Sequence, residues 1–129
     1  MKLHMVILFQ RDLEAGVEFY KKLGLPCLVH VPKKWAECLL DSVKIALCPI
    51  DEEIQDRHTG LVLEVADCMK LYAELLEKGV VGVQQPITAA HGIMASIKDP
   101  SGNILDIYQP VALSENEEKS CCQAPGGCC

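Results

Sequence analysis

No run of Lys and Arg occurs anywhere in this chain, and its formal charge is −6. Nucleic acids and anionic membranes are recognised through clustered cations, so neither is an expected partner. No apolar stretch approaches the roughly eighteen residues that a spanning helix requires. Met1-Lys2 leads into a short apolar run and then Gln10-Arg11-Asp12, which lacks the organisation of a secretory signal. A cytoplasmic location is therefore the expectation. No Gly-rich phosphate loop occurs, and no Ser-His-Asp or Cys-His pairing stands at a diagnostic local spacing.

What is present is a globular composition. Of 129 residues, 50% are hydrophobic and 23% charged, enough for one domain with its own core. Eight cysteines divide into two sets. In a reducing compartment Cys27, Cys38, Cys48 and Cys68 read as small buried hydrophobes. Cys121, Cys122, Cys128 and Cys129 instead crowd the last nine residues, CCQAPGGCC, among polar neighbours.

The body repeats itself. LHMVILF (3–9) reads as a buried strand, and Asp12 caps a helix, LEAGVEFYKKLG, that stops at Gly24. Strand candidates CLVHV, AECLLD and VKIALC follow. The pattern restarts with LVLEV (61–65), a helix capped by Asp67 and stopped at Gly79, and strands GVQQP, IMASIKD and NILDIY. Cap and stop recur at a shift of 55 residues. This describes two βαβββ modules, 3–50 and 59–110, with the polar stretch PIDEEIQDRH between them. The fold class is α+β: each four-stranded mixed sheet carries a helix on one face, and the other faces curl into an open cup. A cup lined by alternate strand residues is a small-molecule site by its geometry.

Three segments, VILFQRDLEAGVEFYKKLGL, LVLEVADCMKLYAELLEKG and KDPSGNILDIYQP, resemble the vicinal oxygen chelate superfamily. That superfamily includes glyoxalase I, bleomycin-resistance proteins, fosfomycin-resistance enzymes and extradiol dioxygenases. The resemblance spans residues 3–110 and implies a domain over 1–113. Metal-dependent members place one His or Glu ligand on each of four strands. Transferred by the cap and turn landmarks, those positions fall on Met5, Ala46, Gly60 and Asp106. Only Asp106 can ligate a hard divalent ion, so such an ion is not expected in the cup. His4 is adjacent to Met5 but faces the opposite side of the strand.

Alternation adds Ile7, Cys48 and Tyr108 to the cup lining, with Trp35 as a further apolar wall. A relocated site for zinc could combine Cys48, His58 and Asp106. Against it, Cys48 suits a core, His58 sits in a charged linker, and Asp106 can accept a backbone or Tyr hydrogen bond. His30 reads as a satisfied strand histidine and His91 as an exposed loop residue.

Three functional readings follow. One is a binding module resembling the bleomycin-resistance proteins, a homodimer sequestering or detoxifying a small cationic or amphipathic molecule. Another is an enzyme (lyase, isomerase, dioxygenase or thiol transferase) with a degenerate or relocated metal site around Asp106. The third is compatible with both. Residues 114–129 are expected to form a disordered tail whose four thiols capture Zn(II), Cd(II), Cu(I) or As(III). Redox-active or inert thiols, or a lipid-modified cysteine pair, are the competing readings of the tail.

Overall fold

Alternating apolar residues and two Asp-capped helices fold as the repeat demands. A computed structural model describes residues 1–111. The first unit comprises β1 (Met5–Gln10), α1 (Leu13–Lys22), β2 (Cys27–Val31), β3 (Trp35–Leu40) and β4 (Val43–Pro49). The second comprises β5 (Arg57–Glu64), α2 (Cys68–Glu77), β6 (Val81–Ala89), β7 (Gly92–Lys98) and β8 (Asn103–Pro110). Their sheets are ordered β1-β4-β3-β2 and β5-β8-β7-β6, each with one parallel and two antiparallel pairings. The fold is thus α+β, and neither sheet closes into a barrel. Among the described residues no helix is long and apolar enough to cross a membrane.

Both helices begin as their sequences require. The Asp12 carboxylate accepts the Ala15 N–H at 3.1 Å, and Asp67 accepts that of Lys70 at 3.0 Å. Each bond satisfies one donor that the first helical turn leaves unpaired. From α1, Leu13, Val17, Phe19 and Tyr20 are buried, together with Leu8, Ile45 and Leu47 of the sheet. In the second unit Leu75 of α2 is buried with Ala95, Ile97, Leu105 and Ile107. Full burial of each large side chain contributes about 1.5–3 kcal/mol.

The units are joined through one buried polar cluster. Asp99, 2% exposed, opens the turn Asp99-Pro100-Ser101-Gly102, closed by the Gly102 N–H on the Asp99 carbonyl at 3.1 Å. Gly102 takes a φ of 89°, which a side chain would oppose. One Asp99 oxygen accepts the backbone N–H groups of Ser101 and Asn103, at 2.8 and 2.9 Å. The other accepts from Gln10 Nε2, the Tyr20 hydroxyl and Asn103 Nδ2, at 2.9, 2.8 and 2.8 Å. Gln10 and Tyr20 belong to the first unit, so this carboxylate fastens one unit to the other. Burial, reinforced by the Asp99 charge, pushes the Tyr20 phenol far above its ordinary range.

Three sequence expectations are corrected here. β1 begins at Met5, leaving Leu3 and His4 outside it, while β5 begins at Arg57, inside the stretch read as a linker. The Arg57 N–H bonds the Gly102 carbonyl and its guanidinium reaches the Phe9 carbonyl, which draws that segment into the fold. Finally, Cys27 and Cys38 are not free thiols: they face each other across β2 and β3 and form a disulfide. Cys48 and Cys68 are free, half-buried and buried respectively.

Candidate functional site: two open sheet faces

In each sheet, residues alternate between the side covered by a helix and a side left open. On β4, Ile45 and Leu47 belong to the covered core of the first unit, so Lys44, Ala46 and Cys48 take the other face. Pairing brings Met5 beside Lys44, Ile7 beside Ala46 and Phe9 beside Cys48. From β3 the same face receives Glu37, paired with both Ala46 and Val29, and by alternation Trp35 and Leu39. Thus Met5, Ile7, Ala46 and Cys48 share a face.

The second sheet repeats the layout. Leu105 and Ile107 are covered, leaving Asp106 and Tyr108 on the open side. Asp106 pairs with Val62 of β5 and Ser96 of β7, and Tyr108 with Glu64 and Met94. Val62 stands 55 residues after Ile7, so Asp106 occupies in this sheet the place of Ala46 in the first. Gly60 lies in a bulge between His58 and Val62, with a φ of 80°. It offers backbone curvature rather than a side chain. The bulge is held by the Thr59 hydroxyl, which donates to the Ile104 carbonyl at 2.8 Å and accepts from the Leu61 N–H.

A carboxylate stands at the centre of each face. Asp106 accepts the Ser96 hydroxyl at 2.6 Å, not a tyrosine or backbone group. Glu37 accepts the Trp35 indole N–H at 2.8 Å, and Lys44 Nζ lies 3.7 Å from its other oxygen. Sequence reasoning missed Glu37. The signal was available: a charged residue in mid-strand, two positions from Trp35, alternates onto the open face.

The apolar surround is uncovered in part, although Ala46 itself is fully buried. Ile7 and Phe9 are each 44% exposed, Val62 53% and Ile87 49%. These are large side chains at strand positions that ordinarily pack. A separate shallow cleft of about 330 Å³ lies where α1 meets the α2–β6 turn, walled by Phe19, Lys22, Val80 and Lys98. It contains neither face carboxylate.

The remaining candidates fall elsewhere. His30 Nε2 is 2.7 Å from the Glu14 carboxylate on α1. His91 is half-buried at the β6–β7 hairpin rather than exposed. His58 is in β5, paired with Ile104. Cys68 opens α2, but burial and the adjacent Asp67 charge push its thiol up, which keeps it protonated and unreactive. Cys121, Cys122, Cys128 and Cys129 lie outside the described residues.

A family model, Glyoxalase/Bleomycin resistance protein/Dioxygenase superfamily, matches residues 2–107. The chain belongs to this superfamily. Among curated proteins no sequence matches significantly. Similar solved structures include a glyoxalase/bleomycin resistance protein/dioxygenase family enzyme from Burkholderia phytofirmans PsJN, with TM-score 0.73 and 18% identity over 86% of this chain and 100% of that one. A glyoxalase/bleomycin resistance protein/dioxygenase from Nocardioides has TM-score 0.72 and 20% identity, over 88% and 86% of the two chains. Lactoylglutathione lyase from Agrobacterium tumefaciens has TM-score 0.70 and 14% identity, over 84% and 92%. At these identities the likeness is one of fold.

Met5 offers a thioether, Ala46 a methyl group and Gly60 nothing; a hard divalent ion needs several oxygen or nitrogen donors. Among the described residues no three His, Cys, Asp or Glu side chains gather into a set that could hold an ion. The relocated trio Cys48, His58 and Asp106 does not converge either. The donor set therefore does not fit the superfamily's metal.

Proposed function

We propose that this superfamily member is a small-molecule-binding protein whose open faces hold an amphipathic cation, sequestering or detoxifying it without a hard divalent ion. One observation carries the reading: each face presents a carboxylate, Glu37 (with Lys44 nearby) or Asp106, among apolar side chains that the single chain leaves partly exposed. Apolar contact would supply affinity, and the carboxylates would orient a positive group. Trp35 beside Glu37 adds an aromatic partner for a cation.

The same exposed surface supports a homodimer, in which the face of one protomer covers that of another. Light scattering should give about twice the 14.2 kDa chain mass at micromolar concentration; a monomer throughout would contradict it. Four thiols in CCQAPGGCC suit capture of a soft ion or As(III), a role separate from the cup.

The test is native mass spectrometry with elemental analysis on protein purified without chelators. Release of an organic cation, lost in Glu37→Gln and Asp106→Asn, supports the reading. Stoichiometric nickel, iron or zinc retained after removal of residues 114–129 would contradict it. That result would favour the alternative of a lyase, isomerase, dioxygenase or thiol transferase with a relocated site.

A further inference from the structure

The Cys27–Cys38 disulfide joins strands that are already paired. Between them the hairpin holds Val29 opposite Glu37, His30 opposite Ala36 and Val31 opposite Trp35. The ring it closes is short, with the two cysteines 11 residues apart. Its halves differ in access: Cys38 is 1% exposed, whereas Cys27 is half-buried on the outermost strand. β2 is the edge of its sheet, and Leu28, Val29, His30 and Val31 are all exposed.

Two states of this pair are compatible with the fold. Once reduced, Cys38 remains a small apolar side chain in a packed site, and no buried polar group loses a partner. What changes is the tie at the N-terminal end of β2, next to the irregularity in register between Cys27 and Val29. The neighbour of Cys38 on β3 is Glu37, so β2 forms the outer wall beside the first face carboxylate.

We propose that Cys27 and Cys38 form a reversible thiol–disulfide site, opened through Cys27 by a dithiol reductant, that sets how firmly β2 is held against the sheet. One thiolate of the reductant attacks Cys27 Sγ and forms a mixed disulfide; the Sγ–Sγ bond breaks and its electron pair leaves on Cys38. The second thiolate then attacks the reductant's own sulfur in that mixed disulfide, closing the reductant's disulfide and releasing Cys27 as thiolate. The two protons of the dithiol end on Cys27 and Cys38. Two electrons pass to the protein, and the reductant is oxidised.

The experiment treats the full-length chain with dithiothreitol under native conditions, maps alkylated Cys27 and Cys38 by peptide, and follows amide hydrogen exchange. Peptide mapping separates this pair from the four C-terminal thiols. Expected are alkylation of both cysteines and exchange at residues 27–31 faster by about tenfold, with β8 little altered. The double variant Cys27→Ser/Cys38→Ser should show the same local change and no response to reductant. If that variant does not fold, the reductant experiment on the natural sequence still decides. A pair reduced only in denaturant, reduction that accelerates exchange throughout the domain, or reduction with unchanged β2 exchange would each overturn the proposal.

Discussion

Replacing Asp99 by Ala should be among the most damaging single changes in this domain. Its carboxylate accepts five hydrogen bonds, and the Tyr20 hydroxyl and Gln10 amide that it satisfies are themselves buried. Each buried donor left unpaired costs about 1–3 kcal/mol, before any entering water recovers part of it. Removing the charge also removes its own desolvation cost, so the losses do not simply add. The expected net is about 3–5 kcal/mol, the usual consequence of deleting one partner from a buried charged network. That is a fifth or more of the typical stability of such a domain, about 5–15 kcal/mol. Asp99→Asn preserves an acceptor for the Ser101 and Asn103 backbone, but it turns an N–H₂ toward three side-chain donors. It should still cost about 2–4 kcal/mol. Urea unfolding followed by Trp35 fluorescence and far-ultraviolet circular dichroism measures both variants. Combining Asp99→Ala with Tyr20→Phe should reveal coupling of about 0.5–3 kcal/mol, because the two side chains share a bond between the units. Loss of less than about 1 kcal/mol in Asp99→Ala would refute this role for the cluster.

Tyr20 has a pH signature. Its pKa lies above the unfolded value of 10.0, so above that pH the unfolded chain releases a proton that the native state retains. Native stability should then fall by about 1.4 kcal/mol per pH unit from this group, a decline that Tyr20→Phe removes in alkaline urea titrations. In Gly16→Ala, the new methyl group would collide with the Gln10 side chain and push it from Asp99. A loss of about 1–3 kcal/mol is expected in the same assay, and a neutral result would mean that Gln10 can move freely. Deleting residues 120–129 should abolish Cd(II) or As(III) uptake by reduced protein without changing its circular dichroism spectrum; undiminished uptake would assign capture to the remaining cysteines.

The two-unit architecture was legible because its signals are local. Asp12 with Gly24, and Asp67 with Gly79, mark helix ends whose repeat at one shift reveals the duplication. Asp99 to Gly102 marks the turn into the last strand. What the sequence concealed depends on distant neighbours. Arg57 entered β5 because its backbone and guanidinium find carbonyls at Gly102 and Phe9, contacts that no local pattern encodes. Cys27 and Cys38 read as apolar fillers, since their pairing depends on the register of β2 against β3. The cap and turn landmarks select Gly60, but the bulge there puts a backbone bend where a lining side chain would stand. Glu37 lies on β3, a strand that carries none of the ligand positions the resemblance implies. Only the register shows that it stands beside Ala46.

Trp35 is the sole tryptophan of the chain and lies beside Glu37, so its fluorescence observes the first face directly. The decisive measurement is a titration of that fluorescence, with EDTA present, by an alkyltrimethylammonium ion and by an alkylsulfonate of equal chain length. Saturable binding of the cation, weakened by about tenfold or more in Glu37→Gln and much stronger than that of the anion, is the expected result. A response that appears only after a divalent metal is added, or that is equal for both ligands, would contradict metal-independent recognition of a cation by these faces.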